Sequence, residues 1–172
     1  MNDRRARFEA LALPPLDSAY SLARWLSRSP ADAEDIVQEA VLRAFRAFDG
    51  ARVETVKPWL LAIVRNCFHD HAAKARRSRP MDEAQAHAIA DDAPDPENEA
   101  AWAAERRRLD EVLGRLPPDF REVLLLREME DMSYREIAEA VGAPVGTVMS
   151  RLARARALLK EHWHEGGGND LR

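Results

Sequence analysis

Ten prolines set the limits of every regular element this 172-residue chain can form: Pro14, Pro15, Pro30, Pro58, Pro80, Pro94, Pro96, Pro117, Pro118 and Pro144. Each falls between two stretches of periodic apolar residues or in the opening turn of one. Proline is tolerated in a first helical turn, where the N–H has no intrahelical acceptor, and is costly in a helix interior. The stretches between the prolines are rich in Ala, Leu, Glu and Arg, side chains that lose little freedom in a helix. No period-2 alternation and no internal repeat interrupts them. The chain is predicted to be all-α.

The helical segments can be placed by stripe and cap. Leu16, Ala19, Ala23 and Leu26 make one stripe. Ser29 is a candidate N-cap, followed by Pro30 and by acids at Asp32, Glu34 and Asp35 that suit a positive helix end. That helix should run to about Phe48 and stop at Gly50, burying Val37, Val41, Ala44 and Phe48. A third spans about Thr55 to Arg77, with Leu60, Val64, Cys67 and His71 on one stripe. Helices resume over about 99–114 and 118–130. In "SYRE", Ser133 and Glu136 have the capping-box spacing ahead of a short helix ending at Gly142. A last helix starts near Val145, and "GGGNDLR" reads as a frayed tail.

Charge divides the chain. Five bases and one acid lie between Arg65 and Arg79, seven acids and no base between Asp82 and Glu99, and four bases and no acid between Gly142 and Lys160. Basic islands attract polyanions even in a chain of net charge −4. The acidic segment carries prolines and few large apolar residues, the composition of a flexible linker. Two small helical domains are therefore expected, at 10–79 and 100–163, joined by a flexible acidic linker at 80–99.

Several functions find no support in the residues. No stretch approaches the roughly 20 apolar residues that span a bilayer, and the first residues lack a signal-peptide core. With one cysteine, Cys67, the chain fits a reducing, cytoplasmic setting. Cys67, His69 and His71 are close in sequence, but on a helix His69 leaves the face that Cys67 and His71 share, and no further cluster completes a metal site. There is no phosphate-binding glycine loop and no nucleophile elbow. No catalytic residue, metal, cofactor or small-molecule substrate is expected.

Helix, glycine-containing turn, helix is the helix-turn-helix arrangement, and it covers the last two helices. By phase, Val145, Val148, Leu152, Ala155 and Leu159 should face inward. Thr147, Ser150, Arg151 and Arg154 should face outward, with Met149, Ala153 and Arg156 at the flank. A recognition helix uses its N-terminal half to reach base edges in the major groove. In the other domain, Asp35, Gln38 and Glu39 fall at i, i+3 and i+4, an acid–amide–acid strip suited to a basic partner or to solvent.

"LDEVLGRLPPDFREVLLLREMEDMSYREIAEAVGAPVGTVMSRLARARALLK" resembles the C-terminal DNA-binding domain of bacterial RNA polymerase sigma factors of the extracytoplasmic-function (ECF) type. "DAEDIVQEAVLRAFRAF" resembles that family's polymerase-binding helix, and "KPWLLAIVRNCFHDHAAKARR" its promoter-opening helix. The resemblance implies a sigma factor that joins core RNA polymerase and directs initiation at specific promoters. It implies core contacts at Asp35, Gln38 and Glu39. It implies −10 element contacts at Arg43, Ala47, Arg52, Asn66, Lys74, Arg76 and Arg77, with a base-capturing loop near 49–56. It implies −35 element contacts at Thr147, Met149, Ser150, Arg151, Ala153 and Arg154. Ala51 stands where some members carry an aromatic, and Met149 where relatives often carry a base. Trp59 reads as core or as a DNA platform, and the linker as a tether or a channel-threading segment. An anti-sigma factor, often membrane-bound in relatives, is an implied partner. The alternatives are an ordinary helix-turn-helix regulator and a sigma-like decoy that does not support initiation.

Overall fold

The structure, a computed structural model, describes residues 2–48, 56–78 and 96–166. Eight helices lie within them, and among the described residues there is no strand: α1 (Asn2–Ala12), α2 (Leu16–Ser27), α3 (Pro30–Arg46), α4 (Val56–Ser78), α5 (Pro96–Arg115), α6 (Pro118–Glu128), α7 (Tyr134–Val141) and α8 (Val145–Gly166). The all-α expectation is borne out. Most of the expected linker, the 49–55 part of the expected base-capturing loop with Ala51 and Arg52, and the tail at 167–172 lie outside the described residues. The last four linker positions, 96–99, form the first turn of α5, with Pro96 in the place that proline favours.

α1 was not expected. Its eleven residues offer little apolar periodicity, and the helix is held by tertiary contact. The Phe8 ring stands edge-on to Phe45 and Phe48, at 5.2 and 5.3 Å between centroids. Arg4 lies 5.0 Å from the Phe45 ring and donates to the carbonyls of Phe45 (2.9 Å) and Arg46 (3.3 Å). These carbonyls end α3 and lack intrahelical donors, so a cation there satisfies them and suits the negative helix end.

α2, α3 and α4 pack around Leu22, Leu26, Ile36, Leu60, Leu61 and Val64, all buried. Ser29 caps α3 by accepting from the Asp32 N–H, and Pro30 follows it. The buried stripe of α3 is Ala33, Ile36, Ala40 and Ala44; Ala44, and Phe48 just beyond the helix, are buried as expected, while Ile36 and Ala40 take the central places expected of Val37 and Val41, which are half-buried at the margin. Alanines at the centre let α2 and α4 approach the α3 backbone closely, which valines would not. Trp59 is half-buried against the same core.

In the second half, α6, α7 and α8 enclose Val123, Leu126, Ile137, Val148, Leu152 and Ala155, with α5 laid along α8. The capping box is formed: the Ser133 hydroxyl accepts from the Glu136 N–H (3.2 Å) and the Glu136 carboxylate from the Ser133 N–H (2.7 Å). α7 ends at Gly142, whose φ of 67° is the left-handed cap that favours glycine. α8 then starts at Val145. Arg108 of α5 stacks 4.3 Å from the Trp163 ring and donates to the Trp163 carbonyl at 2.6 Å, pinning the far end of α8.

The two halves are docked on each other, and three buried carboxylates mark the seam. Asp110 of α5 accepts from Nε and Nη2 of Arg28 at 2.6–3.1 Å. Glu122 of α6 receives Arg65 Nε at 2.7 Å and His69 Nε2 at 2.9 Å, both from α4. Glu130 faces Lys57 Nζ at 3.3 Å, and its backbone carbonyl accepts from the same ammonium at 3.0 Å. Each acid belongs to the second half and each base to the first. Arg28 ends α2 with a φ of 57°, unusual for a non-glycine residue. A Cβ at Gly114 would lie 2.6 Å from Arg28 Nη1, so the glycine inside α5 makes room for that guanidinium.

Candidate polymerase and DNA surfaces

α3 presents Asp35 and Gln38 fully to solvent, with Glu39 half-exposed beside them. Leu42, 51% exposed, continues the strip by one turn. Sequence reasoning did not single it out, since one exposed leucine on a helix surface is ordinary. Between α3 and α4 lies a cleft of about 340 Å³ lined by Asp35, Glu39, Arg43, Cys67, Asp70 and Lys74 among others. Arg43 bridges it: Nε meets Glu39 at 2.7 Å and Nη1 meets Asp70 at 2.6 Å. The Asp70 hydrogen bond, then that of Glu39, raises the Arg43 pKa further above its ordinary value. Arg43 thus ties the α3 strip to α4, and its guanidinium is committed to two carboxylates. Cys67 is buried at the base of this cleft, and burial pushes its thiol pKa up.

On α4, Asn66, Lys74, Arg76 and Arg77 are exposed, as is Ala47 at the end of α3. Lys74, Arg76 and Arg77 form a basic end suited to phosphates. Asn66 accepts from its neighbour Arg65 at 3.3 Å. His69 is turned to Glu122, and His71 lies 3.8 Å from Asp32. Among the described residues no three His, Cys, Asp or Glu side chains gather as a metal site, and no helix is long and apolar enough to cross a membrane.

α8 projects from the turn with its N-terminal half outward. Met149, Ser150, Ala153 and Arg154 are exposed, and Thr147 is half-buried. Arg151 is drawn to Asp119 of α6 at 3.0 Å, and Arg156 to Glu128 at 2.6 Å. The Glu128 hydrogen bond raises the Arg156 pKa above its ordinary value. One expectation fails here. Val145 does not face inward: it is 40% exposed at the very start of the helix, whereas Val148 in the same turn is fully buried.

The chain matches the models of Sigma-70 region 2 over residues 16–78 and of Sigma-70 region 4 over residues 106–159. It is 35% identical over 148 residues to the ECF RNA polymerase sigma factor SigE of Mycolicibacterium smegmatis, covering 85% of this chain and 57% of that protein. It is 32% identical over 148 residues to the ECF RNA polymerase sigma-E factor of Haemophilus influenzae, covering 81% of this chain and 77% of that one. Its fold is similar to that of the sigma factor RpoE from Bartonella quintana, solved with the anti-sigma factor NepR, at a TM-score of 0.69 and 26% identity over 91% of this chain and 96% of that one. With both sigma regions present in order on one all-helical chain, and with these relatives, the chain belongs to the ECF RNA polymerase sigma factors, which direct the polymerase to promoters.

Proposed function

We propose that the chain joins core RNA polymerase through the α3 strip, opens DNA at the −10 element with α4 and the loop before it, and places α8 in the major groove of the −35 element. The observation that carries this reading is the separation of faces. Asp35, Gln38 and Leu42 look outward from α3, the Lys74–Arg77 end from α4, and from α8 the face of its acid-free stretch before Glu161. An acidic strip suits a basic protein surface, and the two basic faces suit phosphate. The protein acts without catalysis of its own, in the cytoplasm. Bartonella quintana RpoE was solved with an anti-sigma factor, which supports an anti-sigma partner for this chain as well.

Purified chain added to core polymerase should yield transcripts from a defined set of genomic fragments. Replacing Asp35, Gln38 and Glu39 together with alanine should weaken core capture while specific DNA recognition by α8 persists. Loss of both at once would mean that the strip holds the fold rather than the polymerase. Core binding without any transcript would make the protein a decoy.

A further inference from the structure

The outward face of α8 divides into two ridges, each of residues four apart. One is apolar: Val145, Met149 and Ala153, with Val145 40% and Met149 52% exposed. The other is small and then basic: Gly146, Ser150 and Arg154, all exposed. A Cβ built on Gly146 would meet no atom within 4 Å, so the first turn is open to an approaching surface. Two of the helix's arginines are held by acids of α6, Arg151 by Asp119 and Arg156 by Glu128. The part of the helix that would enter a groove first is therefore dominated by two apolar side chains that cannot donate a hydrogen bond and, apart from the weakly accepting Met149 thioether, cannot accept one.

The segment Gly142–Lys160 has four bases and no acid, so its electrostatic complement is a polyanion. In the major groove of a duplex, the one apolar group on a base edge is the thymine 5-methyl. We propose that Val145 and Met149 read thymine methyl groups in the −35 element, making this an element with two thymines close together. The inference rests on the placement of α8 in that groove. Four residues advance the helix by about 6 Å, against about 3.4 Å per base pair, so the two thymines fall within about two base-pair steps. Arg154, a turn beyond Ser150, is left to contact a guanine edge or a phosphate.

The test uses the full chain with core polymerase and a randomised duplex library, made once with thymidine and once with deoxyuridine in its place. This exchange removes the methyl and nothing else. The thymidine library should select a motif with two thymine positions of this spacing. In the deoxyuridine library the preference at each should fall roughly threefold to fourfold, the effect of one buried methyl. Met149→Ala should abolish the thymidine–deoxyuridine difference at one position and Val145→Ala at the other. Equal selection from both libraries, or a difference that survives both substitutions, overturns the proposal and leaves the ridge to a protein partner. Failure to select any motif overturns the promoter reading itself.

Discussion

Neutralising Asp110 should loosen the docking of the two halves without unfolding either. The Asp110 side chain is 4% exposed and is held by both ends of the Arg28 guanidinium, which is 22% exposed. Removing one partner of a buried pair typically costs about 3–5 kcal/mol, because a charge is left without compensation. Here water reaches Arg28 more readily than it would a sealed interior, and the halves can part to hydrate it. The expected cost of Asp110→Asn is therefore about 2 kcal/mol, which shifts the docking equilibrium roughly thirtyfold. Energy transfer between dyes on Ala31→Cys and Ala157→Cys, both exposed positions on opposite halves, reads that equilibrium directly. If undocking precedes core binding, apparent affinity for core polymerase should rise by up to the same factor.

Two companions make the reasoning refutable. Arg28→Met with Asp110→Leu should restore docking, since an apolar pair of similar size avoids the desolvation of both charges. Gly114→Ala should loosen docking in the wild-type background, where its Cβ lies 2.6 Å from Arg28 Nη1. In the Arg28→Met background the same change should become stabilising, by up to about 1 kcal/mol of helix propensity. An energy-transfer signal unmoved by Asp110→Asn, or a Gly114→Ala effect of the same sign in both backgrounds, would refute the latch.

Three further outcomes are expected. Met149→Arg should raise general DNA affinity and steepen the dependence of log K on log salt by about 0.9, one phosphate contact; an unchanged slope would show that position 149 does not reach the backbone. Ser133→Ala removes the hydroxyl that accepts from the Glu136 N–H, while the Ser133 N–H can still donate to the Glu136 carboxylate, and should lower the stability of the second half by about 1 kcal/mol in denaturant titration, with the helices of the first half unaffected. Burial raises the Cys67 thiol pKa, so the folded chain keeps a proton that the unfolded chain releases. Stability should fall as pH climbs past the ordinary thiol value of 9.0, and Cys67→Ala should remove that slope; a slope retained in the variant would assign it to another group.

What the sequence made legible was local. Proline positions, the Ser29 cap, the Ser133–Glu136 box and the Gly142 turn are decided within a few residues, and the helices begin and end where those signals lie. The outward strip of α3 and most of the α8 face followed from phase alone. Features that depended on distant partners were not legible. α1 owes its place to Phe45 and Phe48, more than thirty residues away. Val145 was misplaced because a stripe rule takes no account of the helix end: Val145 opens α8 and stays exposed, while Val148 in the same turn is buried. Nothing local in the sequence singles out Asp110, Glu122 and Glu130, yet each is buried beside a base between 53 and 82 residues earlier.

Those three acids bear on how the molecule works. A seam built from leucine and valine would hold the halves more tightly, since burying ion pairs gains little over burying hydrocarbon. Such a seam would also expose a large apolar patch whenever it opened. Carboxylates, guanidinium groups and an ammonium can exchange their partners for water at modest net cost, which lightens the ionic part of parting; the apolar core runs continuously through both halves and adds its own cost. The pairings are also specific: Arg28 fits beside Gly114 and across Asp110, and Glu122 collects two bases from one face of α4. If α4 and α8 serve separate promoter elements, as proposed, such pairings fix one docked arrangement while keeping the ionic part of its opening small.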